Sequence, residues 1–523
     1  MAARSATSPL GTLAAADDRP AIVEPGRGAI TYAELDRLAN RIAGKLRGLG
    51  LRPGARIGIY MRRSADAIAV MLGTLRAGCA YVPVDPRAPA ERIADSQIDC
   101  RVRATFVEER FEQPYRAALG HAGRGDDIAI LRLGPVGLGV AAYEWTATDA
   151  GPDLSAANDI TSGDLACILY TSGSTGRPKG WMMSRVAIEA HARWCHDFLA
   201  PTREDIFANH AQFSFGMSLF DIYSSLGCGA TLVLVPDEVR QHGARVVDLL
   251  VRERVTIWFS GPAILSLIGQ VQDLESRDLS ALRVVAFAGE VFPLAQLENL
   301  RARLPHPRYF NFWGSTETNV GAHYELPKDL LLDGPPPFGR PCEHYEARVA
   351  AEDGTTARPA ATGELQLRGI GLSSGYWNQP ELTAEKLCWA DDGGQPWFRT
   401  GDLAVQLSSG NLRYVGRIGR MVKLRGYRVE PGEIEARLYQ HPGLREAAVV
   451  PVDGPMGLSL VAHISSATGS RLPVVELKEF CARKLPAYMI PDRFEFYDAL
   501  PRTSSGKIDI KGLGGLQVAV TTR

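Results

Sequence analysis

RIGIYMRRSADAIAVMLGTLRAGCAYVPVDP, residues 56–86, contains a strand at 56–61, a helix from Ala65 to Ala77 and a second strand at 80–86 that breaks at proline. Ahead of it, Tyr32, Leu35, Leu38, Ile42, Leu46 and Leu49 recur at three- and four-residue steps, an amphipathic helix ended by Gly50. Strand and helix in alternation predict an α/β layer architecture with a largely parallel sheet. The pattern resumes with LACILY at 165–170, a helix near 184–198, ATLVLV at 230–235, a helix near 243–253, and the strands VTIWF and RVVAFAG. From about residue 335 to 415, glycine-rich alternating stretches predict a β-rich subdomain, and 420–523 a smaller α+β unit.

A chain of 523 residues is too long for one compact core, so at least two domains are expected. The net charge of −1, with 22% charged residues, predicts neither a nucleic-acid partner nor a disordered tail. Eight cysteines are scattered without a CxxC pair or zinc-like cluster, as expected of reduced cytosolic thiols. The first residues lack a long apolar core, and no stretch approaches the ~20 apolar residues of a membrane span. A cytoplasmic protein with no membrane association is expected.

YTSGSTGRPKG at 170–180 directly follows the strand at 165–170. Its glycines let a loop approach phosphates, while backbone N–H groups, the hydroxyls of Thr171, Ser172, Ser174 and Thr175, and Lys179 supply donors and charge. It is not a Walker A loop, because GxxxxGK[ST] is absent.

These residues resemble the signature of the adenylate-forming superfamily: acyl-CoA synthetases, luciferases and the adenylation domains of nonribosomal peptide synthesis. The resemblance continues in family order with AGCAYVPVDP at 77–86, FNFWGSTET at 310–318, GELQLRGIGLSSGYWNQPELTAEK at 363–386 and WFRTGDL at 397–403. It closes with GRIGRMVKLRGYRVEPGEIE at 416–435 and LPRTSSGKIDI at 500–510. It implies a large N-terminal domain, 1–416, of parallel-sheet α/β subdomains plus a β-rich subdomain, and a smaller mobile α+β domain, 417–523, carrying Lys507.

The implied reaction is attack of a carboxylate on the α-phosphate of ATP. It brings two anions together, so cations and Mg²⁺ are required. By the resemblance, Thr171, Ser172, Gly173, Ser174, Thr175, Gly176 and Lys179 hold phosphates, Thr316 contacts the phosphate, and Glu317 is the Mg²⁺ ligand. Trp313, followed by Gly314, stands where the family usually carries a tyrosine against adenine; the alternative is a buried core tryptophan. Asp402 matches the carboxylate that accepts from both ribose hydroxyls, Arg417 a second nucleotide contact, and Lys507 the mobile lysine that bridges carboxylate and phosphate oxygens. Two departures stand out: Gly419 replaces the usual Asp or Lys of the domain pivot, and Arg185 replaces a common histidine.

NHAQFSFGMSLFDIYSSLGCGA at 209–230 resembles the substrate-pocket segment of free-standing amino-acid-activating enzymes. In α-amino-acid members an aspartate pairs the substrate ammonium; here that position is Gly216. Motif matching gives the remaining pocket as Met217, Phe220, Phe259, Ala286, Ala288, Phe312, Val320 and Gly321, with Lys507 on the carboxylate. Asp221, four residues after Met217 on one helix face, is either the anchor of an amino group moved to the β-carbon or a structural acid. Alternatively, Gly216 opens a channel, or the substrate is a keto, hydroxy or aryl acid. LGGLQVAVTTR at 513–523 reads as unstructured and holds no carrier-domain serine motif. The expectation is a stand-alone ligase that charges a separate acyl or peptidyl carrier protein, with free coenzyme A as the competing acceptor.

Overall fold

The computed structural model describes Leu13 and residues 17–125, 127–133, 145–147, 165–173, 178–328, 334–351, 354–358, 360–389, 394–454, 457–467, 471–503 and 508–515. The chain divides into two compact units. One comprises residues up to Ile418; the other comprises Gly419 onward together with Arg87–Ser96 and Tyr170–Lys179. The division falls at Ile418–Gly419, beside the boundary expected at 416–417. Gly419 has φ +93°, a left-handed conformation that glycine adopts without the Cβ penalty other residues incur.

The first unit is built on two large sheets. One has nine strands in the order Arg340–Pro341, Ala322–Leu326, Arg308–Trp313, Val284–Phe287, Ile257–Ser260, Ile206–Asn209, Thr231–Leu234, Pro20–Glu24 and Gly28–Thr31. Its six central strands pair in parallel, and antiparallel pairs close both edges. The other sheet has eight strands, with Arg56–Tyr60 parallel to both Ala80–Pro83 and Ala104–Glu108 near its centre. Crossover helices supply the second layer, as parallel pairing demands.

Local chemistry accounts for the boundaries. Tyr32–Gly48 is a helix because Thr31 caps it: its hydroxyl accepts from the Glu34 amide and Glu34 reaches back, a complete capping box. Tyr32, Leu35, Leu38, Ala39, Ile42 and Leu46 form its buried face. Ser184 caps Arg185–Leu199 in the same way, through the Ala187 amide. Arg185 itself is structural: its guanidinium donates to the carbonyls of Leu75 (2.9 Å) and Cys79 (3.2 Å), closing the turn after Ala65–Arg76.

A five-stranded antiparallel sheet, including Glu346–Ala350, Thr362–Arg368, Trp397–Gln406 and Leu412–Arg417, forms the β-rich part of this unit.

The second unit is α+β. Leu444–Gly454 and Gly457–Ser466 form an antiparallel pair, Arg493–Tyr497 joins in parallel, and Pro431–Leu438 and Val474–Ala482 pack on them. Near the C-terminus, Ile510–Gly515 is a helix, so residues 513–515 of the stretch read as unstructured are helical, while 516–523 lie outside the described residues. The signal missed there was Leu513, which is fully buried against Val450 and Leu500; a single buried leucine has no periodicity to announce it. All eight cysteines are free thiols, six of them buried. Among the described residues, no helix is long and apolar enough to cross a membrane.

Candidate active site

In the first unit the site is organised around the loop that leaves the strand Arg308–Trp313. Gly314 is required there: a Cβ on it would lie 1.6 Å from the Asn319 carbonyl oxygen, so any side chain would force the loop open. Within the loop, the Ser315 amide donates to Thr318 Oγ1 (3.0 Å) and the Thr318 amide to the Ser315 carbonyl (3.2 Å). The Tyr345 hydroxyl holds it from outside, donating to the Thr318 carbonyl at 2.8 Å. Thr316 and Glu317 ride on this clamped turn. Glu317 is buried, and its Oε1 accepts from the Tyr376 hydroxyl at 2.7 Å.

Trp313 ends the strand and connects the loop to the β-rich part of the same unit. Its indole N–H donates to Asp402 Oδ2 at 3.0 Å, and its ring lies 5.3 Å from that of Phe338. Asp402 Oδ1 accepts from Arg417 Nη1 at 2.5 Å, and Arg417 Nη2 donates to the Thr400 carbonyl at 3.2 Å. Strand register sets this geometry, because Asp402 and Arg417 are direct partners across an antiparallel pair. Each Asp402 oxygen keeps a second lone pair for a further donor.

The residues expected to line an acid pocket lie on the helix Gly216–Cys228 and at the ends of three adjacent strands. Phe259 is in register with Ala286, and Ala286 with Phe310, which places Phe312 and Ala288 just beyond on neighbouring strands. The rings of Phe220, Phe259 and Phe312 form a buried triangle with centroids 5.0, 5.4 and 6.0 Å apart. Phe220, Phe259, Ala286, Ala288, Phe312 and Val320 belong to one continuous core cluster, with Met217 packed against it. These side chains are close-packed in the core of the first unit. At Gly216 an added Cβ would meet nothing closer than 3.9 Å, at Asn319 Oδ1 and Thr316 Cα, so the head of the pocket helix adjoins the loop bearing Thr316 and Glu317. Gly321 has no such room: its added Cβ would lie 2.7 Å from Leu367 and 3.0 Å from the Trp313 ring.

Asp221 is almost completely buried, with Asn209 Nδ2 donating to its Oδ2 at 3.0 Å. Burial pushes this carboxyl well above the usual carboxylate range, while the Asn209 amide and the charge of Arg63 oppose the shift. Behind the aromatic wall, buried His191 lies 6.1 Å from Phe220 and 5.8 Å from His344, ring to ring. Burial, and then His344, hold His191 far below the ordinary histidine range. His191, Asn319, Tyr345 and Tyr376 were not singled out from sequence; only Tyr376 lies in a quoted motif, and none has a spacing that marks its role.

In the second unit, Ser172 Oγ donates to the Arg428 carbonyl at 2.7 Å, and the Gly173 amide donates to Glu433 Oε2 at 3.3 Å. Glu433 also pairs with Arg92. Thr171 Oγ1 lies 3.5 Å from the Lys179 carbonyl, and Lys179 is buried. Ser174, Thr175, Gly176 and Lys507 lie outside the described residues. The arms leading to Lys507 are placed: Arg502 and Ile508 form an antiparallel bridge, with Arg502 paired to Glu446.

This pair of parallel-centred sheets, with a clamped Gly-Ser-Thr-Glu loop at the end of one strand, is the arrangement of an adenylate-forming enzyme. The chain belongs to the AMP-binding enzyme family: the family model matches residues 12–377, and that of the AMP-binding enzyme C-terminal domain matches residues 433–507. It is therefore a ligase of the AMP-forming kind. It is 38% identical over 513 residues to an L-proline–[L-prolyl-carrier protein] ligase of Streptomyces coelicolor, covering 95% of this chain and 93% of that one. The ligase of the same name from Pseudomonas fluorescens is 35% identical, with 94% and 95% covered. The solved amide bond synthetase McbA of Marinactinospora thermotolerans is similar in structure, with a TM-score of 0.83, 26% identity, and 95% of this chain and 97% of that one covered.

Proposed function

We propose that the enzyme uses ATP and Mg²⁺ to convert a small amino acid, with its amino group on the β-carbon, into the acyl-AMP. It then passes the acyl group to the phosphopantetheine thiol of a separate carrier protein. In the first half-reaction a carboxylate oxygen bonds to the α-phosphorus and the bond to the β-phosphate bridge breaks, releasing pyrophosphate. In the second, the thiolate adds to the acyl carbon and AMP leaves with the oxygen it received.

The observation that carries this reading is the loop Gly314–Asn319. Its Trp313 end is hydrogen-bonded to Asp402, and its Thr316–Asn319 part adjoins Gly216 at the head of the pocket helix. Asp402 and Arg417 would orient the ribose, Trp313 and Gly314 would flank the adenine, and Thr316 would donate to a phosphate oxygen. A single buried carboxylate, Glu317, held by Tyr376, fits Mg²⁺, which takes few protein ligands and completes its shell with phosphate and water. Bound there, the ion would neutralise the phosphate oxygens against which the carboxylate must approach. Thr171, Ser172, Gly173, Ser174, Thr175, Gly176 and Lys179 are assigned to the phosphates, and Lys507 to the charge developing between carboxylate and α-phosphate.

Amino-acid substrates and a carrier acceptor are supported by the two prolyl-carrier ligases that resemble the chain over nearly its whole length. A β-amino rather than an α-amino group is supported by Gly216, which leaves an α-ammonium without a counter-charge. Met217, Phe220, Phe259, Ala286, Ala288, Phe312, Val320 and Gly321 would exclude bulky side chains. Asp221 is the one acid on the pocket helix, and the Asn209 amide occupies one of its oxygens. ATP–pyrophosphate exchange over α-amino, β-amino, aryl and keto acids tests the reading. Best exchange with a short β-amino acid is expected, and exchange with no acid would remove adenylation altogether. Thioester formation on a carrier protein rather than on coenzyme A separates the carrier ligase from its rival.

A further inference from the structure

Asn319 closes the loop that carries Glu317, two residues after it. Its φ of +53° lies in the left-handed region, where asparagine is tolerated better than most side chains. Its carbonyl oxygen packs so closely on Gly314 that the backbone at 319 has no room to relax. The side chain is 8% exposed, and its Nδ2 has no hydrogen-bond partner. A buried amide donor is seldom left unsatisfied, because it has given up water without replacement.

The other end of the carboxamide faces the space beside Gly216. Asn319 Oδ1 and Thr316 Cα, each 3.9 Å from the position of an added Cβ, are the nearest groups to it. The space a longer side chain at 216 would fill is thus bordered by a buried carboxamide. Asp221, on the same helix, has its carboxyl turned to Asn209, which donates to it at 3.0 Å. A short β-amino acid carries a donor, its amine, one carbon further from its carboxylate than an α-amino acid does. That amine is a donor for Asn319 Oδ1, the end of the carboxamide that borders this space.

We propose that Asn319 is a specificity-determining residue that selects the amino group of a short β-amino acid. Its Oδ1 accepts an N–H from the amine in the space beside Gly216. The proposal rests on the reading of the chain as an amino-acid-adenylating enzyme. Asn319 acts as the polar contact in place of the absent carboxylate.

The test compares kcat/KM for 3-aminobutanoate and for butanoate in ATP–pyrophosphate exchange. Asn319→Gly removes the carboxamide while keeping a residue suited to positive φ, and Asn319→Asp keeps an acceptor at the same place. In the full-length enzyme, Asn319→Gly is expected to lower the amino-to-deamino ratio about ten- to hundred-fold, the scale of a hydrogen bond to a charged group, with the KM for ATP unchanged. Asn319→Asp is expected to keep or raise the ratio. An unchanged ratio in Asn319→Gly, or a collapsed ratio in a folded Asn319→Asp that still binds ATP, overturns the role of Asn319 and leaves adenylation standing. Wild-type exchange with α-amino acids alone also overturns it, whereas wild-type exchange with no acid overturns the adenylation reading itself.

Discussion

Replacing Gly216 with aspartate should convert the pocket to one that prefers α-amino acids. The site accepts the side chain: an added Cβ meets nothing closer than 3.9 Å, and no left-handed backbone stands in the way. Gly216 is also the first residue of the helix Gly216–Cys228, where a negative charge is favoured by the helix dipole by about 0.3–1 kcal/mol. That gain is smaller than the cost of an unpaired buried carboxylate in the free enzyme, so the melting temperature should fall below that of the wild type and recover in part when an α-amino acid binds. The new carboxylate, beside Asn319 and Thr316, would face an ammonium. A buried charge lacking its partner costs about 3–5 kcal/mol, so supplying that partner should shift selectivity by roughly two to nearly four orders of magnitude. The assay is ATP–pyrophosphate exchange with 2-aminobutanoate and 3-aminobutanoate, comparing kcat/KM ratios of variant and wild type. A folded Gly216→Asp enzyme with an unchanged ratio would refute the argument that the missing charge at this position sets the substrate class.

Three further outcomes follow from the geometry. Trp313→Phe keeps a ring against Phe338 but removes the N–H that steadies Asp402, so the KM for ATP should rise up to about ten-fold while the acid preference stays put. Lys507→Ala should suppress acyl-AMP formation by more than about a hundred-fold while thiol transfer from supplied acyl-AMP persists; equal loss in both steps would contradict the role assigned to it. His210 is pushed down to about 3 by burial, with Arg240 adding to the shift, and its ring is bonded to Ser260 and the Arg240 carbonyl. Since the unfolded chain binds this proton below about 6.5 and the folded chain only near 3, stability is lost as pH falls through that window, by up to about 1.4 kcal/mol per pH unit for this group. His191 and His344, also lowered by burial, act in the same sense, so urea denaturation between pH 7 and 4 should show a falling midpoint. A flat profile would contradict their burial as neutral rings.

Much of the fold was legible because it rests on local periodicity. The helix read at 32–49 is Tyr32–Gly48, and the strand read at 165–170 is Leu165–Thr171, because their buried faces repeat at 3.6 residues or run continuously apolar. Strand register brings together some residues that motif order assigned to one pocket: Phe259 and Ala286 are direct partners, so segments 27 residues apart meet. Less legible were contacts fixed only by tertiary placement. The Trp313–Asp402 hydrogen bond joins residues 89 apart, and Tyr376 reaches Glu317 across 59. Asn319 escaped notice because its importance lies in a positive φ and an unpartnered amide, neither of which a residue pattern displays. The anchoring of Arg185 on two carbonyls was hidden for the same reason, since backbone acceptors are the same whatever the sequence.

The claim that the acid's oxygen attacks the α-phosphorus is tested most directly by isotope transfer. The enzyme would be given ATP, carrier protein and an amino acid labelled with ¹⁸O in both carboxylate oxygens, and the released nucleotide would be weighed by mass spectrometry. One ¹⁸O atom per AMP, with none in pyrophosphate, is the predicted result. Label in orthophosphate with ADP as the product, or AMP released without label, would contradict it.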